Sequence, residues 1–189
     1  MPSYASLGLA PIINASGPVT RLGGAPMAET VLQAWRDAAG AAVPLEQLQA
    51  AASRRLAEHT GAEAGLVTAG AAAALTLGTA AILAGDDPAR MERLPGCEDF
   101  PHEFVVAREQ RSGYDHAVRA AGAKLVEVGM NEIVSNAGVR RTEAWEYEAA
   151  FSPKTAGVLY VYGKDSVPPL DEVVARAHRR RIPVLVDAA

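Results

Sequence analysis

Three groups of residues in this 189-residue chain have the types and spacing to do chemistry. The first is Thr68-Ala69-Gly70-Ala71-Ala72, set between a short apolar run and an alanine-rich one. Small side chains let a backbone approach a ligand closely. A helix opening there would offer unpaired N–H groups and the positive end of its dipole to a phosphate. The same run would also make a tight strand-to-helix turn beside a crowded core, and it is neither a Walker loop nor a GxGxxG fingerprint. The second is Asp187, which ends the apolar run Val184-Leu185-Val186. Ligands of open α/β sheets bind at the carboxyl ends of the strands, so an acid there faces the binding edge; its alternative role is to cap the next element. The third is the polar stretch 108–116, Arg108-Glu109-Gln110-Arg111-Ser112-Gly113-Tyr114-Asp115-His116, directly after another apolar run. Such a post-strand loop belongs at a binding edge, although Asp115 and His116 would serve equally as caps of a following helix. Arg21 and Arg111 are candidate anion binders, because a guanidinium suits bidentate recognition of a carboxylate or phosphate. No metal site is expected. Cys97, the one cysteine, lies in the Pro/Gly/Asp-rich stretch 94–99 with no base beside it in sequence, and it reads as unreactive.

Short β-rich runs and helical stretches alternate around these residues. Strands are expected at 65–68, 104–106, 124–128, 158–161 and 182–187. Helices are expected from Pro26 to Gly40, from Pro44 to Gly61, over 71–84, over 114–121, from a Thr142 cap to Phe151, and over 170–180. This order predicts an α/β fold, a three-layer, doubly wound, mostly parallel sheet with helices on both faces. The expected organisation is an extended N-terminal segment over 1–25 followed by one domain over 26–189.

Composition limits the function classes. A net charge of -4 gives no footprint for nucleic acid, and the only basic run, 179–181, suits the C-terminal end of a helix dipole. The apolar stretch 71–84 is too short to span a bilayer, and residues 1–5 carry no secretory pattern. A single cysteine fits a reducing compartment, so the cytoplasm is expected, with no membrane association.

The run Ile13-Asn14-Ala15-Ser16-Gly17-Pro18-Val19-Thr20-Arg21-Leu22-Gly23-Gly24 resembles the opening of the bacterial selenocysteine synthase (seryl-tRNA selenium transferase) family. It is more similar still to the related pyridoxal 5'-phosphate (PLP) proteins that include D-glucosaminate-6-phosphate ammonia-lyase. Stretches 60–73, 114–123 and 183–189 fit the same group in order. The resemblance implies the N-terminal part of an aspartate aminotransferase-like large domain that binds PLP. It places the phosphate on Ala69, Gly70, Ala71 and Ala72 and the pyridine nitrogen on Asp187. The position that stacks on the cofactor ring in many such enzymes falls near Gln110 and Arg111 here, which leaves His116 and Tyr114 as candidates. The group's Schiff-base lysine lies some tens of residues beyond the strand-end Asp, and none of Lys124, Lys154 and Lys164 fits that order.

The implied activity is that of a PLP-dependent lyase, acting on an amino-sugar acid or β-hydroxy amino acid by α-proton loss, β-elimination and ammonia release. Two alternatives stand beside it. One is selenium transfer to an aminoacyl substrate, disfavoured by the acidic charge and by an opening motif that begins at residue 13. The other is a non-catalytic truncated homologue or one chain of a split enzyme. The implied partners are a small amino substrate and further copies of the chain, at least a dimer. Ending at the strand over 182–187 leaves a sheet edge and apolar faces to cover, so the 189 residues alone are expected to be poorly soluble or oligomeric.

Overall fold

The computed structural model describes residues 4–17, 19–130, 133–134 and 138–189. Residues 1–3 of the expected N-terminal segment and Pro18 of its motif lie outside the described residues. The chain divides into two compact units, Met1–Leu66 and Val67–Ala189. The boundary expected after residue 25 falls within the first.

The first unit has 3₁₀ turns at Tyr4–Leu7 and Thr20–Leu22 and two helices, α1 (Glu29–Ala39) and α2 (Leu45–Thr60). Between the turns, Asn14 folds its side chain onto its own loop: Nδ2 donates to the Gly17 carbonyl at 2.8 Å, and Oδ1 accepts from the Ser16 amide at 2.9 Å. The first helix opens at Glu29 behind Ala28, not at Pro26, and an Arg36–Glu29 ion pair of 3.0 Å spans it. Gly61 caps α2, and the chain then returns along it, where the Gly65 amide donates to Ser53 Oγ at 3.1 Å.

The second unit runs α3 (Ala71–Ala84), α4 (Pro88–Arg93), β1 (Glu103–Ala107), α5 (Asp115–Ala120), β2 (Lys124–Val128), a short hairpin of β3 (Ile133–Val134) and β4 (Gly138–Val139), α6 (Ala144–Ala150), β5 (Thr155–Val161), α7 (Leu170–Arg179) and β6 (Val184–Asp187). Strands β2, β1, β5 and β6 lie side by side in that order, all parallel. Successive strand residues point to opposite faces, and both faces are buried. Phe104, Val106 and Leu159 pack with Leu75 and Leu83 of α3 and Val118 of α5. Val105, Ala107, Val158 and Tyr160 pack with Tyr147 of α6 and Val173 and Ala177 of α7. Two cores on one sheet make three layers, as the alternation of runs predicts. Burial on both faces is also why these strands read as continuous apolar runs rather than alternating ones.

Two local expectations are corrected. Residues 65–68 carry no regular secondary structure and join no ladder among the described residues. Thr142 does not cap α6. Glu143 does, in a reciprocal capping box with Glu146, while the Thr142 amide and hydroxyl both donate to Glu109.

Candidate functional site

The small-residue run opens α3 without a side-chain cap. The first ladder bond of the helix is Ala74 N–H to the Gly70 carbonyl, at 3.1 Å. The N–H groups of Ala71, Ala72 and Ala73 therefore lack helical partners and face outward from a 14-residue helix. Gly70 makes the turn at φ +106°, a conformation that L side chains rarely adopt, and nothing lies within 4 Å of where a Cβ would stand. Thr68 Oγ1 donates to the Gly70 carbonyl at 3.0 Å and shapes the same turn.

Packing decides where this helix end sits. Thr76 Oγ1 donates to the Ala117 carbonyl of α5 at 3.1 Å, and Gly78 lets α3 lie close to Leu185 of β6. The result is an open cavity of about 320 Å³ in which Ala72, Ala73 and Thr76 face Gly113, Tyr114 and His116. Ala72 and His116, both candidates from the sequence, are thus brought together at the loop that follows β1. Tyr114 joins them there, and Arg119 donates to His116 Nδ1 at 2.8 Å.

The polar stretch after β1 is mostly used to build this edge. Arg111 bonds the carboxylates of Asp115 and Glu127, and Arg108 Nε donates to the same Glu127 at 3.1 Å. Asp115 is buried at the start of α5, where its other oxygen accepts from the Ser112 amide at 3.3 Å. Gln110, only 7% exposed, accepts from the Val161 amide and donates to the Val167 carbonyl, both at 3.0 Å. Glu109 accepts from the amide and hydroxyl of Thr142. Burial pushes the Glu109 carboxyl up, but the two Thr142 bonds and the nearby Arg141 charge outweigh it and hold it below its ordinary range. Tyr147 closes the arrangement from beneath: its hydroxyl accepts from the Ala107 amide at 3.1 Å, and burial pushes its ionisation up, so it stays neutral.

Asp187 is half-buried at the carboxyl end of β6, in register with Val161 of β5. One of its oxygens accepts from the Ala189 amide at 3.2 Å, and its own carbonyl accepts from the Tyr162 amide at 2.7 Å. It does not line the cavity at α3. Among the lysines, Lys124 pairs with Glu103 at 3.2 Å at the amino end of the sheet, Lys154 is exposed in the turn before β5, and Lys164 is exposed in the loop after it. Arg21 lies exposed in the Thr20–Leu22 turn of the first unit. The sequence marks Glu109 and Gln110 only as members of the polar stretch after β1 and Thr142 only as a helix cap, and it does not pair Glu109 with Thr142 or Gln110 with Val161 and Val167.

No family model matches the chain. It is similar to a 5'-C-glycyluridine monooxygenase-decarboxylase from a Streptomyces species, 35% identical over 191 residues, covering 98% of this chain and 47% of that protein. It is also similar to the D-glucosaminate-6-phosphate ammonia lyase of Salmonella typhimurium, 32% identical over 194 residues, covering 98% and 50%. The chain thus spans about half the length of the curated relatives it matches. A solved D-glucosaminate-6-phosphate ammonia-lyase superposes with a TM-score of 0.88 at 32% identity, over 98% of this chain and 50% of that one. Aspartate aminotransferase from Rhizobium meliloti superposes with a TM-score of 0.53 at 20% identity, over 92% and 42%. A GDP-4-keto-6-deoxymannose-3-dehydratase holding a trapped PLP-glutamate geminal diamine does so with 0.50 at 18%, over 72% and 32%. The fold is therefore the parallel α/β arrangement of the aminotransferase-like proteins.

Proposed function

We propose that this chain is the cofactor-holding part of a PLP-dependent lyase, acting on an amino-sugar acid or β-hydroxy amino acid with α-proton loss, β-elimination and ammonia release. The observation that carries the reading is the uncapped start of α3. It faces the post-β1 loop on the sheet edge that also ends in Asp187, in a chain 32% identical to an ammonia lyase over nearly its whole length. The donor set fits the cofactor. The free N–H groups of Ala71 and Ala72, with Ala69 and Gly70 leaving room beside them, would take the phosphate. Asp187, with one oxygen occupied by the Ala189 amide, would take the pyridine N–H, and His116 would line the ring. When bound, PLP supplies the electron sink that makes an α-proton acidic. Asp187 would hold the proton on the ring nitrogen. Arg21 and Arg111 remain candidates for substrate anions, although Arg111 already serves two carboxylates. The covalent lysine of this reading is none of Lys124, Lys154 and Lys164. The reading carries with it a cytoplasmic homo-oligomer.

The test is PLP titration followed by ³¹P NMR, with Ala72→Asp as the variant. A carboxylate in the first turn favours the helix but repels a phosphate, so folding is preserved while binding is lost. Saturable binding weakened at least tenfold by A72D is expected, with no stoichiometric borohydride label on any of the three lysines. Equal binding by A72D, or a full label on Lys164, refutes the assignment. A second reading, favoured by the 35% identity to the monooxygenase-decarboxylase, is oxidative loss of a carboxyl group from a glycyl nucleoside. Release of ammonia without carbon dioxide by the protein that carries this chain decides for the lyase.

A further inference from the structure

Between β1 and β5 the chain changes its direction of winding. From β1 it proceeds through α5 to β2 on one side, and from β5 through α7 to β6 on the other. Open α/β sheets receive ligands in the crevice at the carboxyl ends of such a strand pair, because the two connections diverge and leave it uncovered. Here that crevice is a cavity of about 370 Å³, whose charged and hydroxyl-bearing lining is Glu109, Arg111, Ser112, Arg141, Asp165 and Ser166. It adjoins the proposed cofactor carboxylate: Val161, which also lines it, is in register with Asp187, and neighbouring strands stand about 4.8 Å apart.

Most of the polar groups in this lining are committed. Arg111 is bonded to Asp115 and Glu127, and both oxygens of Glu109 accept from Thr142. The Ser166 hydroxyl donates to the Val161 carbonyl at 2.9 Å. Two charges remain. The Arg141 side chain is 57% exposed, and its nearest carboxylate oxygen, on Glu109, is 3.7 Å away, beyond hydrogen-bond reach. Asp165 is exposed and makes no ion pair among the described residues. A guanidinium that is ion-paired but donates no hydrogen bond to its partner still has N–H groups to offer a phosphate, and a carboxylate without an ion pair accepts from hydroxyls.

We propose that this crevice is a specificity subsite for the distal end of a phosphorylated sugar acid, with Arg141 binding the phosphate and Asp165 accepting the sugar hydroxyls. The inference rests on the lyase reading for its substrate class and on the crevice alone for its geometry. The probes are D-gluconate 6-phosphate, D-gluconate and inorganic phosphate, titrated into the ¹⁵N-labelled chain without PLP. The expected result is that gluconate 6-phosphate shifts the amide signals of Ser112, Arg141 and Ser166 and binds at least tenfold more tightly than either other probe. Arg141→Gln should erase the advantage over gluconate with an unchanged circular-dichroism melt, and Arg141→Lys should keep part of it. Asp165→Asn should weaken both sugar acids but not inorganic phosphate. Equal affinities for the two sugar acids, a neutral R141Q, shifts confined to other residues, or no binding of any probe overturns the proposal. A parallel PLP titration of the same samples separates the two readings. Loss of PLP binding with intact gluconate 6-phosphate binding removes the cofactor assignment and leaves the crevice, and the converse removes only the crevice.

Discussion

Gln110 couples the two sides of the crevice, and its removal tests whether the site depends on that coupling. Its amide accepts from the Val161 N–H and donates to the Val167 carbonyl, each at 3.0 Å, on a side chain 7% exposed. Each such bond contributes about 0.5–1.5 kcal/mol net, and a buried backbone group left without a partner costs about 1–3 kcal/mol. Gln110→Met keeps the volume and loses both bonds, so a destabilisation of about 2–4 kcal/mol is expected, reduced where water reaches the Val167 carbonyl. Gln110→Glu should cost more, since it sets a carboxylate oxygen against that carbonyl. The assay is urea unfolding followed by Trp145 fluorescence in a Trp35→Phe background, which leaves a single tryptophan in the second unit. With a slope of about 2 kcal/mol/M, Q110M should lower the midpoint by about 1–2 M. Hydrogen exchange at the Val161 amide should accelerate by at least tenfold. A midpoint within about 0.3 M of the parent, or unchanged exchange at Val161, refutes the argument that Gln110 holds the loop after β5 to the end of β1.

Two further predictions concern the frame around the site. Gly122 has φ +108°, and a Cβ there would stand 2.4 Å from the Pro95 carbonyl oxygen and 2.9 Å from Cys97 Sγ. Gly122→Ala should therefore cost about 2–4 kcal/mol from backbone strain and overlap, read as a lower urea midpoint. It should also speed alkylation of Cys97, whose thiol is pushed up first by burial and then by Glu98 and is otherwise shielded. Glu109 has a folded-state pKa below its ordinary value of 4.5, so its contribution is present above that pH and is lost as pH falls through the lower folded value. The midpoint of the parent should drop below pH 4.5 more steeply than that of Glu109→Gln, and parallel profiles would show that the Thr142 bonds do not favour the charged form.

The sheet was legible because its strands are buried on both faces. Phe104-Val105-Val106 sends side chains alternately into the two cores, and a run with no polar face can be read without knowing its partners. The expectation for 65–68 rested on the same kind of composition and found no ladder among the described residues, since composition names a strand but not its neighbour. The short helix α4 escaped notice for a different reason. Gly85-Asp86-Asp87-Pro88 reads as the end of one helix, and the same Asp87 accepts from the Ala89 and Arg90 amides to begin the next.

At the site, polar density after β1 could be seen in the sequence, but not how its charges are divided. That division is set by pairs far apart in the chain, Arg111 with Glu127, Glu109 with Thr142 and Gln110 with Val167. Reading along the chain favoured Arg111, which sits in the obvious loop, and gave no reason to choose Arg141, which follows the β3–β4 hairpin. Only after the paired charges are subtracted does Arg141 stand out as the guanidinium in the crevice without a hydrogen-bonded partner. A cation hydrogen-bonded to two carboxylates must give up one of them to take a ligand, whereas Arg141, held by a single 3.7 Å ion pair to Glu109 without a hydrogen bond, gives up less. On that ground Arg141, rather than Arg111, should carry the larger share of anion affinity, and R141Q should weaken gluconate 6-phosphate more than R111Q does once the damage of R111Q to folding is measured separately.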